Sequence, residues 1–427
     1  MDASLGQVPL RLACTGFVSE HTGSVAAANA LLLRALLDSG HEVDFFSKAS
    51  FVDPRPSIGE MSGFRFVETT NSGPDNFRRR VEGIPCLGFL ADRVDAATYN
   101  QLIVRRFAAD HQSRHYDLCL WLGDYATGRV PGLTTVSFAQ GPPGTDARSI
   151  IARFGEIRNL AGMPTALLWL ALALVRLSRI RTPPFRHSDH IIVGSHESKR
   201  TLERLYGIPG GRISALPYPI DLELFKAESG KHGSERTAAT LRVLWLGRIV
   251  PRKRLDLFLD GAGLAIRNGL DLRLTIVGSV GFVPGYEQLI RAFPFQERLI
   301  WKQNLPREEI PSLMHAHDVL CQPSGEENFG SSVAEAQACN LPVIVGRTNG
   351  NADYLCERDI HLADDQPETL AQGLAELAAR KASLHWRDSM ESRALAEKCF
   401  HIGRVADRFV RILRAAKDDG TRANQSE

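Results

Sequence analysis

Two short segments of this sequence set cations and carboxylates beside glycine-bearing turns. The first is Gly247-Arg248-Ile249-Val250-Pro251-Arg252-Lys253, which follows an apolar run and precedes a stretch with helical spacing. Open parallel sheets bind ligands just beyond the carboxyl ends of their strands, so this loop is placed to meet an anion. Arg248 and Lys253 suit a diphosphate, the guanidinium as a fork of donors and the ammonium as a point charge. Read alone, the same residues also describe a solvated basic loop.

The second segment runs from Pro323 to Glu335, PSGEENFGSSVAE, again a strand end, a glycine-bearing loop and a helix start. The backbone N–H groups of Phe329, Gly330 and Ser331 would point at a bound phosphate, because the first N–H groups of a helix lack internal acceptors. Glu335 lies one turn into the helix and leans back toward its start. A carboxylate there suits the vicinal hydroxyls of a ribose, and Glu327, in the loop beside Asn328, suits sugar hydroxyls. Taken singly, each glutamate reads first as a helix cap or a solvent-facing charge. A nucleotide-sugar offers both phosphate and vicinal hydroxyls, and so would use both loops.

The elements that must position these loops are legible as short apolar runs alternating with helical segments, the pattern of parallel sheets covered by helices. One series holds strands Leu10 to Cys14, Glu42 to Phe46, Leu118 to Leu122, Thr135 to Phe138 and Ile191 to Val193, with a helix from Val25 to Ser39 and another, capped by Ser195, over Glu197 to Tyr206. The other holds strands Arg242 to Leu246, Leu272 to Val277, Leu299 to Lys302, Val319 to Gln322 and Val343 to Val345. Between the two series, LPYPIDLELF carries prolines at 217 and 219, which interrupt helix and ladder alike, and the polar stretch Glu228 to Arg236 follows as a linker. The expected division is a first domain over 1–219, a second over 220–399, an amphipathic helix over 400–418 and a disordered tail over 419–427.

A chain of 427 residues with 44% apolar and 23% charged residues is a globular protein of two domains rather than a disordered or multispan one. Its net charge of +2 carries no signature of nucleic-acid binding. Seven scattered cysteines without a Cys-x-x-Cys pair indicate neither a disulfide framework nor a zinc site. The opening residues MDASLGQVPLRLACTGFV lack a secretory pattern, so the expected compartment is the cytoplasm.

The segments HSDHIIVGS, LPYPIDLELF, LWLGRIVPRK, LRLTIVGS, ENFGSSVAEAQACNLPVIV and TNGNADYL together resemble the family 4 retaining glycosyltransferases. The resemblance implies the GT-B fold: two Rossmann-like domains whose parallel sheets face each other across a cleft, with the C-terminal helix crossing back to the first domain. The family's Glu-x7-Glu element matches Glu327 and Glu335, and its arginine and lysine five apart match Arg248 and Lys253. It implies that Arg248 and Lys253 bind the donor diphosphate, that Glu335 holds the ribose and that Glu327 contacts the transferred sugar. Gly247, Gly278 and Ser279 would pass close to the nucleotide, and Trp301 to Leu305 would lie near the base.

In the first domain the family's glycine-rich loop falls on Thr15 to Ser24, with Gly16, Gly23 and Ser24 near sugar and acceptor. Where many members have a histidine, this chain has Ala139-Gln140-Gly141, leaving Gln140 to contact the sugar. Retaining members are thought to pass the acceptor proton to the leaving phosphate, so that substitution does not remove the activity. The implied reaction moves a hexosyl unit from a UDP- or GDP-sugar to a glycan or lipid-linked hydroxyl, with no cofactor and no required metal. A GT-B-like epimerase or phosphorylase and a non-catalytic sugar-nucleotide-binding subunit are the alternatives.

One further stretch stands apart. Leu160 to Val175, LAGMPTALLWLALALV, is 16 residues of nearly unbroken apolar sequence, short of the roughly 20 residues of a membrane span. It reads as a buried helix. Residues 148–186 also hold seven arginines (148, 153, 158, 176, 179, 181, 186) against one acid, Glu156, which suits peripheral contact with an anionic membrane.

Overall fold

The computed structural model describes residues 8–20, 24–47, 53–69, 101–180, 184–227, 240–281, 283, 285–381 and 389–425. The linker expected at Glu228 to Arg236 lies outside them. Seven strands form the first sheet: β1 (Arg11–Gly16), β2 (Glu42–Ser47), β3 (Phe64–Glu68), β4 (Leu118–Leu122), β5 (Thr134–Phe138), β6 (His190–Val193) and β7 (Ile213–Ala215), in the order β3-β2-β1-β4-β5-β6-β7. Six form the second: β8 (Leu241–Leu246), β9 (Leu272–Val277), β10 (Leu299–Lys302), β11 (Val319–Gln322), β12 (Val343–Val345) and β13 (Ile360–His361), in the order β10-β9-β8-β11-β12-β13.

Every pairing is parallel. Helices cover both faces of such sheets, which is why β4 and β5 are buried at every position rather than at alternate ones. In each sheet the strand order reverses beside the first strand, between β1 and β4 and again between β8 and β11. These are the crevices where doubly wound sheets hold ligands. The result is the GT-B fold.

Ser195 caps the helix His196–Tyr206 as expected, accepting from the Ser198 N–H at 3.1 Å, and Gly207 ends it in the left-handed region at φ 64°. Sequence reasoning missed β3, β7 and β13, whose segments FRFVE, ISA and IH are short or broken by charge. It also missed the helices Pro367–Lys381 and Glu391–Cys399.

The C-terminal helix runs over Ile402–Gln425 and returns to the first sheet, where Phe409 packs on Phe138 with ring centroids 5.6 Å apart. The disordered tail expected over 419–427 is therefore corrected: helix continues through 425. Its polar residues disguised the reason, which is tertiary. Lys417 pairs with Asp117 at 2.5 Å, Arg414 donates to the Val8 carbonyl at 2.7 Å, and Gly420 lies so close to Thr134 that a Cβ would not fit.

Three helices inserted between β5 and β6, Thr145–Ala152, Phe154–Ala161 and Met163–Ile180, reach over to the second half of the molecule. Ala147, Ile150, Ile157, Ala166 and Ala173 join one apolar cluster with Trp245, Phe258 and Tyr286. The expectation of a buried helix over 160–175 holds for one side only: Ala166 and Ala173 are buried, while Leu167, Leu168, Leu172 and Leu174 stand exposed.

Candidate functional site

A cleft of about 1190 Å³ opens between the two sheets at their carboxyl ends. From the second sheet it receives the loops after β8 and β11, the two sides of that sheet's crevice. Facing them are Phe17 to Ser19 after β1, Gly123 to Tyr125 after β4, and Gln140 to Asp146 after β5.

The turn after β8 owes its shape to two features. Gly247 and Gly278 meet backbone to backbone, and a Cβ on Gly278 would fall 1.8 Å from the Gly247 carbonyl oxygen. Glycine is required there by the close approach of the β8 and β9 ends, before any ligand is considered. Gly278→Ala should lower stability by at least about 2 kcal/mol, seen as a fall of several degrees in the melting temperature. Arg254, a non-glycine residue at φ 54°, ends the Pro251–Lys253 turn, and Asp256 (3.1 Å) and Asp365 (2.9 Å) fasten its guanidinium. That fastening turns Arg252 and Lys253 into the cleft.

There the expected cation and carboxylate meet. Lys253 Nζ lies 2.7 Å from Glu327 Oε1, and Arg252 Nη1 lies 2.6 Å from the same oxygen. Burial alone would push the Glu327 carboxyl up, but Arg252 and Lys253 outweigh it and hold it below its ordinary range. Burial lowers the Lys253 ammonium against the pull of Glu327. Glu335, one helical turn in, is buried and pairs with Arg307 at 2.9 Å. Burial pushes its carboxyl up against that arginine. Arg248 is exposed and lines the cleft beside them, as do Ser279 and Gln303 to Leu305.

Asn328 and Phe329 line the cleft, yet their side chains hold the two halves together. Asn328 accepts from the Gly194 N–H at 2.9 Å and donates to the Tyr218 hydroxyl at 2.7 Å. The buried Phe329 ring packs on Tyr218 and Phe400, 5.2 and 5.3 Å away. Their side chains thus join the two halves at the wall of the cleft where the donor is expected. Gly330, at φ 80°, caps the helix Ser331–Ala338, so the first N–H groups of that helix face the cleft.

On the first sheet Gly16 is also reassigned. It is the last residue of β1, and a Cβ there would lie 1.9 Å from the Leu122 carbonyl oxygen, so its role is the contact between β1 and β4. The next residues, Phe17 to Ser19, line the cleft. Gly23 lies outside the described residues, and Ser24 opens the helix Ser24–Asp38. Gln140 does line the cleft.

Residues that sequence reasoning passed over complete the site. Arg252 also bonds Asp146 at 2.9 Å, and Arg148 and Thr145 hold Glu326, so the start of the Thr145–Ala152 helix is tied to both donor-side loops. Arg252 was within reach of sequence reasoning as the middle of a cationic run. Arg307, 28 positions before Glu335, gave no local signal.

Among the described residues, six carboxylates line the cleft: Asp53, Asp124, Asp146, Glu326, Glu327 and Glu335. Five have a cationic partner, Asp53 through Arg55 at 2.7 Å. Asp124 accepts the Tyr125 N–H at 2.8 Å and has no cation beside it among the described residues. Its side chain is open to the cleft, whose walls thin the water around it and push the carboxyl up.

Two family models match the chain, "Glycosyltransferase Family 4" over residues 25–224 and "Glycosyl transferases group 1" over 232–413. The chain belongs to the family 4 glycosyltransferases. It is 26% identical over 416 residues to the D-inositol 3-phosphate glycosyltransferase of Nocardiopsis dassonvillei, covering 92% of this chain and 90% of that one. The Thermomonospora curvata protein of the same name is 25% identical, with 77% and 76% covered. Among solved structures, the sucrose-phosphate synthase of Thermosynechococcus elongatus superposes with a TM-score of 0.65 at 18% identity, over 95% of this chain and 98% of that one. HepE of Anabaena, solved with UDP and glucose, gives 0.61 at 15% identity, over 95% and 99%. These likenesses agree with the GT-B fold of this glycosyltransferase, and the boundary between the two family matches coincides with the passage from the first sheet to the second.

Proposed function

We propose that this glycosyltransferase moves a hexosyl unit from a nucleoside diphosphate sugar to a hydroxyl of a glycan or lipid-linked acceptor, with retention at the anomeric carbon. The supporting observation is two ion pairs at the β8/β11 crevice: Lys253 of the β8 loop with Glu327 of the β11 loop, and Glu335 of the helix after β11 with Arg307 from the turn that follows β10. Each pair holds a carboxylate and a cation side by side in place at the wall of the cleft. An arriving diphosphate draws Lys253 and Arg248 to itself, which leaves Glu327, still oriented by Arg252, to meet sugar hydroxyls, while Glu335 takes the ribose hydroxyls. In the transfer step the bond from the anomeric carbon to the diphosphate oxygen breaks as the acceptor oxygen bonds the same carbon from the same face. The acceptor proton ends on the departing diphosphate. Its growing negative charge is met by Arg248, Lys253 and the N-terminus of the helix Ser331–Ala338, with no step that calls for a metal.

The interdomain ties through Arg252, Arg148 and Asn328 describe how closing the two halves excludes water from this chemistry. On the opposite wall Asp124 and Gln140 receive the acceptor, because Asp124 is the cleft carboxylate whose charge is not already engaged by a cation. Asp124→Asn should leave the donor-induced rise in melting temperature intact and lower transfer about tenfold. Unchanged transfer would remove Asp124 from the acceptor side.

The reading is tested by incubating the protein with UDP-, GDP- and ADP-sugars. One donor should raise the melting temperature and be slowly hydrolysed. The anomeric configuration of the product, read by NMR, should match that of the donor. An inverted product, or no response to any donor, overturns the proposal.

A further inference from the structure

The helix Met163–Ile180 has two apolar sides, and the fold uses one. At about 100° per residue, Ala166, Trp169, Ala173 and Leu177 share one side and pack against the apolar cluster of the second half. Met163, Leu167, Leu168, Leu172 and Leu174 fall on the other, at 47, 51, 54, 40 and 52% exposure. Scattered exposed leucines need no explanation, but a row of them along one helix is a contact surface.

The charges of the segment that carries that row, 148–186, say what it contacts. Arg158, Arg176 and Arg186 are exposed, and no carboxylate pairs with them among the described residues. Arg148 and Arg153 are engaged by Glu326 and Asp256 and add nothing outward. Over 148–186 the one acid is Glu156, which is partly buried. An apolar row carried by a basic segment complements an anionic bilayer. A second copy of the same face would bring arginine against arginine.

We propose that the helix Met163–Ile180 lies flat on an anionic lipid surface, with Leu167, Leu168 and their neighbours set into the boundary between headgroups and acyl chains. No helix among the described residues is long and apolar enough to cross a membrane, so the contact is interfacial. Arg176 joins this surface to the chemistry, since it sits on the same helix and lines the cleft. A lipid-borne acceptor reaches the cleft mouth without leaving the bilayer.

Co-sedimentation with vesicles tests this, using equimolar phosphatidylglycerol and phosphatidylcholine against phosphatidylcholine alone. The wild-type protein should partition onto the anionic vesicles at least tenfold more strongly, and rising salt should weaken the binding. The double substitution Leu167→Glu with Leu168→Glu should reduce it at least tenfold while leaving the melting temperature and its donor-induced rise unchanged. A wild-type protein that stays in the supernatant with anionic vesicles overturns the proposal, as does a double variant that sediments like wild type. So does a dimer in sedimentation velocity that the double substitution splits, because a second copy then covers the face. Vesicle binding is read without any donor, so its failure leaves the proposed transfer reaction standing.

Discussion

Lys253→Ala is expected to lower the rate of transfer by roughly 10²–10³-fold while the protein still folds, the size of effect that follows loss of one preorganised donor to a developing oxyanion. The two halves of that expectation have separate causes. Rate falls because the Lys253 ammonium, only 12% exposed at its side chain, stands on the β8 loop, where a departing diphosphate would gather charge. Folding survives because Glu327 is not orphaned: Arg252 still holds the same oxygen at 2.6 Å. Stripping a buried ion of its whole partner set costs about 3–5 kcal/mol, and here half the set remains. Single-turnover transfer and a thermal melt measure the two quantities, and a variant that keeps its turnover would remove Lys253 from the chemistry.

A pH titration of stability adds a sign. Glu327 is held below its ordinary range, so its contribution is present above the unfolded-state value and is lost as pH falls through the depressed folded one. Without Lys253 the folded value rises toward the unfolded one. Acid unfolding of the variant should then begin at higher pH than in wild type.

Glu335→Ala carries the second large effect, on binding rather than rate. If Glu335 receives the ribose hydroxyls, its loss should weaken nucleotide affinity about 10–100-fold, equivalent to roughly 1.4–2.8 kcal/mol. Arg307, left behind, is 23% exposed at its side chain and rests over the Phe225 ring at 5.0 Å, so it can turn to solvent instead of remaining a buried unpaired charge. The stability loss should accordingly stay near 1–2 kcal/mol. Calorimetric titration with the free nucleoside diphosphate separates this from a folding defect, and Glu335→Gln, which keeps the shape, should fall between wild type and alanine. Equal affinity in all three proteins would assign Glu335 to holding Arg307 alone.

The two substitutions differ instructively in what sequence could say of them. Lys253, Glu327 and Glu335 were legible because each stands at a fixed offset from a strand end or a helix start, and local geometry then dictates which way it projects. Their partners were not equally legible. Arg252 sits next to Lys253 and points to Glu327 and Asp146 only because Arg254, in a left-handed conformation fastened by Asp256 and Asp365, turns the chain there. Asp124 became distinctive only by elimination, once the cations beside the other cleft carboxylates were known.

The glycines show the same division. Gly247 and Gly278 stood out as glycines after strands, but their reason is the meeting of two backbones, a contact between β8 and β9 that no local window contains. Gly16 likewise answers to Leu122 on β4, a strand more than 100 positions away. For the helix Met163–Ile180 the sequence determined that it is apolar all round and basic at its margins, and it left open which side is covered. The neighbouring half of the molecule decided that by burying Ala166 and Ala173 and leaving Leu167 and Leu168 outside.

By itself, then, the sequence determined the alternation of strands and helices and the two glycine-bearing loops that carry the cations and carboxylates, since these follow from short-range periodicity and spacing, while the family came from the resemblance of its motifs. Tertiary structure alone decided that the loops' charges pair with one another, that Asn328 and Phe329 bind the two halves together, and that the last helix continues to Gln425 against Thr134 and Asp117. The physical reason is the same in each case. Burial and charge pairing depend on groups distant in sequence, and a side chain's partner is settled only when packing brings the two within a few ångströms.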